Sequence, residues 1–151
     1  MLSYRFNYDG EMVAFATSDD FRGPFTSIAN LSHTHGNDED SYLWQQPDGS
    51  LHILYHNGAN GLHAFSDVDG KVWHKGTGDA FTLTYNTTAG TSIKVKRRER
   101  PEMLFGADGH PQFFFSAVET EDGNSFSLVQ PFAAGCDRGG GGGGADGVAV
   151  H

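Results

Sequence analysis

The sequence predicts an all-β fold, and three observations carry that prediction. No long segment places apolar residues at i, i+3, i+4 and i+7 behind a cap, so helical periodicity is absent. Short runs rich in aromatic and β-branched residues are instead broken by Asp-Gly, Asn-Gly and Gly-Pro steps, the punctuation of tight hairpins. Aromatic residues make up 13% of a chain that is 37% hydrophobic, a balance unlike that of disordered sequences, which lack rings.

Taken in order, residues 11–18 form an apolar strand behind the turn Asp9-Gly10. Residues 41–76 then read as a four-stranded antiparallel meander. Its strands are 42–46, 51–56, 62–66 and 71–75, and its turns are Pro47-Asp48-Gly49, 57–61 and 67–70. In the second strand His52, Leu54 and His56 share one face, while Leu51, Ile53 and Tyr55 share the other. A third apolar strand, 110–116, follows Asp108-Gly109. The Asp-Gly turns recur at intervals of 39 and 60 residues, which straddle the ~40–50-residue period of a propeller blade. A single four-stranded sheet cannot bury its faces alone, so repeated meanders must stack. The expected architecture is an incomplete β-propeller of four-stranded antiparallel blades, about three in number, over residues 1–132. Residues 133–151, with six consecutive glycines from Gly139 to Gly144, are expected to form a flexible Gly-rich tail.

Composition narrows the function. The 151 residues suffice for one ordinary domain. Apolar runs fall far short of the ~20 residues of a membrane helix, and the lone Cys136 excludes a disulfide framework. The first ten residues carry no apolar signal-peptide core. With 10 basic and 19 acidic residues the net charge is −9, the wrong sign for nonspecific nucleic-acid binding. Lys94, Lys96, Arg97, Arg98 and Arg100 concentrate half of the basic residues in seven positions. That run reads as a strand whose arginines pair with nearby acids.

The segment Ser66-Asp67-Val68-Asp69-Gly70-Lys71-Val72-Trp73 resembles the Asp-box of sialidase-type propellers, with Ser, Gly and Trp at their spacing and Val68 where the central Asp stands. The Asp-box is structural in that family, a tied turn whose Trp packs between blades. Ser18-Asp19-Asp20 through Gly23-Pro24-Phe25 looks like the same turn one blade earlier. Further motifs follow in the order Ala14-Phe15-Ala16-Thr17-Ser18, Glu39-Asp40-Ser41-Tyr42-Leu43-Trp44, Asp48-Gly49 and Glu99-Arg100-Pro101. Together they resemble five-bladed propeller glycosidases of the family 43 type, with their arabinanase and xylosidase relatives, over roughly residues 13–132.

The resemblance implies inverting hydrolysis of a glycosidic bond by three acids, with base and acid ~6.5–9.5 Å apart to admit a water. Asp40 matches the Asp that orients the general acid, with Ser41 replacing the proline that follows it. Glu99 matches the general acid of a Glu-x-Pro step. Nothing before Val13 matches the general base, so the chain reads as N-terminally incomplete. Trp44, His56, His63 and Arg98 are the expected substrate contacts, and a carbohydrate is the expected partner, with neither nucleic acid nor membrane. The resemblance also implies an extracellular setting, and open blade faces imply self-association.

Read residue by residue, the same positions have plainer roles. Asp40 sits in the acidic stretch Asn37-Asp38-Glu39-Asp40, which can be a solvated loop, and Glu99 stands among arginines, as a structural ion pair would. Arginine neighbours stabilise a carboxylate's charge, which suits an anchor better than a proton donor. His33-Thr34-His35 beside Asp38 and Asp40, and His52, His56 and His63 on a paired hairpin, have the residue types of a metal site. Imidazoles aligned on a strand face are ordinarily hydrogen-bonded sheet residues, however, so neither a metal nor another cofactor is expected. The alternative to an enzyme is a noncatalytic carbohydrate- or protein-binding propeller, or a truncated product without activity of its own.

Overall fold

A computed structural model describes residues 1–7, 10–31 and 36–132. These form twelve strands and no helix among the described residues, so none is long and apolar enough to cross a membrane. The strands are β1 (Leu2–Asn7), β2 (Gly10–Thr17), β3 (Thr26–Asn30), β4 (Gly36–Gln45), β5 (Leu51–Asn57), β6 (Asn60–Ser66), β7 (Trp73–Lys75), β8 (Thr84–Asn86), β9 (Ser92–Lys94), β10 (Arg97–Phe105), β11 (Pro111–Glu119) and β12 (Ser125–Pro131). The meander β4–β7 is present, antiparallel throughout. Its first strand begins at Gly36, six residues before the expected start. Its last begins only at Trp73, because Lys71 belongs to the turn, where its backbone N–H donates to Asp69 Oδ1.

Strand β2 pairs antiparallel with β1 and β3. Two parallel pairings, Gly10 with Gly36 and Glu11 with Asn37, join it to β4. The result is one seven-stranded sheet that curls into a half-barrel. Strands β10–β12 form a separate antiparallel sheet, and β8–β9 a short hairpin. The turn Asp9-Gly10 and the Gly-rich tail fall on positions outside the described residues, at least in part.

The core forms on both sides of β5, as its alternation requires. Ile53 and Tyr55 pack with Val13, Phe15, Leu31 and Ala64, closing the half-barrel. Leu54 faces the other way and packs with Ala80, Phe81, Met103 and Phe114 from the chain beyond the meander. Burying each of these large side chains stabilises the fold by about 1.5–3 kcal/mol. Trp73 anchors the turn that precedes it. Its indole N–H donates to Gly70 O at 2.8 Å, and its ring stacks on Phe15 of β2 with centroids 4.0 Å apart. The outer face of the β10–β12 sheet leaves Leu104, Phe113 and Val129 exposed.

The hairpins at Asp48-Gly49 and Asp108-Gly109 are built alike. Gly49 N–H donates to Gln46 O and Ser50 N–H to Asp48 Oδ1, while Gly109 and His110 make the matching bonds to Gly106 O and Asp108 Oδ1. The likeness extends up both strands. Strand β4 has a register break between Glu39 and Tyr42, and β10 has one between Glu99 and Glu102, 60 positions on. At each break a non-glycine residue takes a left-handed backbone, Asp40 at φ 51° and Arg100 at φ 53°.

Gly61 fixes how the chain after the meander returns to the core. Its N–H donates to Phe81 O at 2.8 Å, and its carbonyl accepts from Ala80 N–H at 2.7 Å. A Cβ on Gly61 would lie 2.0 Å from the Phe81 ring. Gly61→Ala should therefore displace Phe81 and cost about 2 kcal/mol, in the range of overpacked cores. The midpoint of urea unfolding checks this, and an unchanged midpoint would mean that Phe81 has room to move.

Candidate functional site

The carboxylates cluster where β4 and β10 are bulged. A bulge breaks the ladder and re-aims a side chain. In β10 Pro101, which has no N–H to give, stands inside it. In β4 Ser41 takes the equivalent place, and its hydroxyl donates to Ser3 Oγ of β1 at 3.2 Å. Next to it Tyr42 donates its phenol hydrogen to Met103 O of β10 at 3.0 Å. Strands β1, β4 and β10 are thereby tied together at one level.

Asp40 is half-buried, and its carboxylate makes no hydrogen bond or ion pair with the described residues. Glu39 beside it accepts from Arg5 Nη1 at 2.9 Å and lies 3.6 Å from His56 Nδ1. His56 is buried, and that nitrogen has no hydrogen-bond partner among the described residues. Asp38 is fully buried and accepts from Asn57 Nδ2 at 2.5 Å. Burial, and then the charge of Asp38, push the Tyr55 phenol up.

Glu99 is buried in the arms of its arginine neighbours. Arg97 Nε donates to its Oε1 at 2.7 Å, and Arg100 Nη1 stands 3.8 Å from Oε2. Strand alternation alone would turn Arg100 away, but the left-handed residue brings it back. These groups line a polar groove of about 400 Å³ with Glu119, Ser125 and Ser127. Lys96 closes an ion pair of 2.5 Å on Glu119 and holds its carboxyl below the usual range. The basic run is thus largely consumed by local acids.

Arg98, expected as a substrate contact, is instead a core cation. It is 2% exposed. Its Nε donates to Ser116 Oγ at 3.0 Å, Nη1 to Thr82 O at 3.2 Å and Nη2 to Gln130 Oε1. The guanidinium also lies 5.3 Å from the ring centres of both Phe81 and Phe114. Burial lowers its pKa to about 10, which leaves it charged at neutral pH.

Trp44 and His63, the remaining expected contacts, stand elsewhere. Trp44, His52, Phe65 and His74 are successive cross-strand partners over β4, β5, β6 and β7. Their rings form a row with centroid spacings of 5.3, 6.1 and 5.5 Å. His63 lies alongside, 5.9 Å from Trp44. A hydrogen-bonded chain runs through the imidazoles. His63 Nε2 is 2.9 Å from His52 Nδ1, His52 Nε2 is 3.1 Å from Ser50 Oγ, and Ser50 donates to Asp48 at 2.6 Å. One hydrogen bridges the two rings, so they cannot both be fully protonated in this arrangement. Burial, with His52 adding to it, lowers His63 to about 4. Burial also lowers His52, against the pull of Asp48.

The metal reading finds no support among the described residues, where no three of His, Cys, Asp or Glu gather. His33 and His35 lie outside them. Ser50 and Phe65 are the members of the ring site that residue-by-residue reading passes over, and His52 is one that it weighs only as a metal ligand or sheet residue. The turn geometry was the usable signal, because pairing outward from Pro47-Asp48-Gly49 sets Trp44 opposite His52.

Two outcomes follow. Arg98→Lys keeps the charge but loses the planar fork and leaves Ser116 or Gln130 without its donor. Its cost should be about 1–3 kcal/mol, read as a lower urea midpoint at neutral pH, and full stability would demote the fork. For His63, the unfolded chain takes up a proton near pH ~6.5 that the folded protein refuses until about pH 4. Stability is complete above the unfolded value and falls as pH drops through that window, by on the order of 3 kcal/mol. Urea midpoints from pH 7 to pH 4 should therefore slope less steeply in His63→Phe than in the wild type.

Compared with known proteins, the chain matches no family model, no curated protein and no solved structure.

Proposed function

We propose that the chain is a carbohydrate-interacting domain of the propeller-glycosidase kind, in which β1–β3, β4–β7 and β10–β12 serve as three consecutive blades. The observation that carries this reading is the pair of matching bulges in β4 and β10, two strands that touch. A propeller brings the innermost strand of each blade to a common axis, and bulges are over-represented next to active sites. The stacking of Trp73 on Phe15 between neighbouring strand groups supports the same arrangement.

The two acids differ in what they offer. The Asp40 carboxylate is free of protein partners among the described residues and accepts from sugar hydroxyls. Glu99 accepts from Arg97 and lies beside Arg100, so it serves first as the anchor of the groove. A general acid must deliver a proton to the leaving oxygen while a second carboxylate activates water. Binding is accordingly the primary activity of this domain, and hydrolysis requires both a carboxylate to activate water, for which no residue here is a match, and the release of Glu99 from its arginines. The noncatalytic alternative shares the binding step and differs in lacking both that release and an activating base.

Isothermal titration with neutral arabino- and xylo-oligosaccharides tests the reading. The full chain should bind at least one, and Asp40→Gly, which suits the left-handed backbone at this position, should weaken that binding tenfold or more while the chain stays folded. Absence of binding to the whole set would remove the carbohydrate reading. Any hydrolysis should yield the inverted anomer by NMR. Glu99→Gln should then harm substrates with poor leaving groups more than activated aryl glycosides, whose departure needs little protonation.

A further inference from the structure

The ring site carries a separate inference. We propose that the cleft between the β4–β6 face and the β10–β11 hairpin binds a neutral, planar aromatic molecule of one or two rings. It encloses about 210 Å³, with Trp44, His52, Leu54, His63, Met103 and Phe114 among its walls. Protein interiors rarely leave voids much larger than a water, and an apolar cavity of ~150 Å³ already accepts benzene. The volume therefore suits one ring or a fused pair.

The walls select the chemistry. Trp44 and the imidazoles present ring surfaces, against which aromatic ligands stack or meet edge to face. The Met103 sulfur adds a polarizable contact that favours rings. Both nitrogens of His52 and the Nε2 of His63 are turned on one another and on Ser50, and among the described residues no carboxylate or cationic group lines the cleft. An anionic ligand would be desolvated there without a counter-charge, and a sugar would lose most hydroxyl partners. Burial keeps both imidazoles neutral near physiological pH, which reinforces that selection. Gln46, His52, His63, Pro111 and Phe132 are all partly exposed, so the cleft communicates with solvent.

This cleft is distinct from the carboxylate cluster. Trp44 lies four positions along β4 from Asp40, roughly 13 Å at the rise of an extended strand. The inference therefore does not depend on the carbohydrate reading.

The chain contains two tryptophans, Trp44 and Trp73, and they occupy opposite faces of the meander, one in each core cluster. Their indole N–H signals in a proton–nitrogen NMR spectrum, assigned with Trp44→Phe, act as separate reporters. Titrating the full chain with 2-naphthol should shift the Trp44 signal saturably by ring current and leave that of Trp73 in place. Under the same conditions 2-naphthoate and glucose should act at least tenfold more weakly. Ala80→Phe, which fills the cleft, should weaken 2-naphthol binding tenfold or more. Asp40→Gly should change it less than twofold. If Ala80→Phe does not fold, the wild-type comparison of 2-naphthol with 2-naphthoate decides alone. No shift at Trp44, equal shifts at both tryptophans, or equal affinity for the charged probe would each overturn the proposal.

Discussion

Leu54 sits between Ile53 and Tyr55 in the chain, and all three are buried, on opposite faces of one strand. That two-sided burial is the constraint around which the molecule is arranged. A half-exposed strand needs one partner layer; β5 needs two. The first is the curled continuation of its own sheet through β2, whose Val13 and Phe15 meet Ile53 and Tyr55. The second must come from beyond the meander, and the return at Ala80 and Phe81 brings it, followed by Met103 and Phe114. Gly61 is a condition of that return, since only a residue without a side chain lets the Phe81 ring lie against β6.

The second layer carries an unusual group for a core. Arg98 is desolvated without a carboxylate among its described hydrogen-bond partners, and three neutral acceptors and two aromatic faces stabilise it instead. Breaking such an arrangement by removing one side leaves polar groups stranded, which costs more than the net worth of the bonds. Arg98 therefore ties β10, β11, β12 and the segment at Thr82 to one geometry. Its neighbours Arg97 and Arg100 remain outside on Glu99. One strand so separates a core cation from an ion-paired groove by alternation and a single left-handed residue.

Much of this was legible in the residues. The turn chemistry at Asp48-Gly49 and Asp108-Gly109 located the hairpins, and the alternation through 51–56 assigned the two faces of β5 correctly. Trp73 was legible because an indole at the end of a tied turn has few places to go. What escaped were features set by pairing across strands. The bulge that redirects Arg100 depends on the register of β10 against β11, and the burial of Arg98 on acceptors 16 to 32 positions away. Trp44 and His63 are of the types that stack on sugars, and only the register shows that their stacking partners are His52 and Phe65. The start of β7 at Trp73 is not legible, because Lys71 and Val72 fit a strand by propensity, while Asp69 accepts from the Lys71 N–H and Ser66 donates to the Val72 carbonyl in the turn.

Strand β4 shows how one element comes to serve two chemistries. Its end near Gly36 lies against β2, and there Asp38 meets Asn57 while Glu39 meets Arg5 and His56. Its other end runs into the turn, where Trp44 faces imidazoles and Phe105. The bulge at Asp40 separates the halves, because the extra residue resets which face each later side chain takes. Without it, Tyr42 and Trp44 would exchange faces with Leu43, placing the rings against the first core and Leu43 over the cleft. The same irregularity that holds a carboxylate free of the ladder thus also turns the aromatic wall toward β10. The Asp40 carboxylate, unpaired among the described residues, and the orientation of the ring wall both follow from one inserted position in the strand.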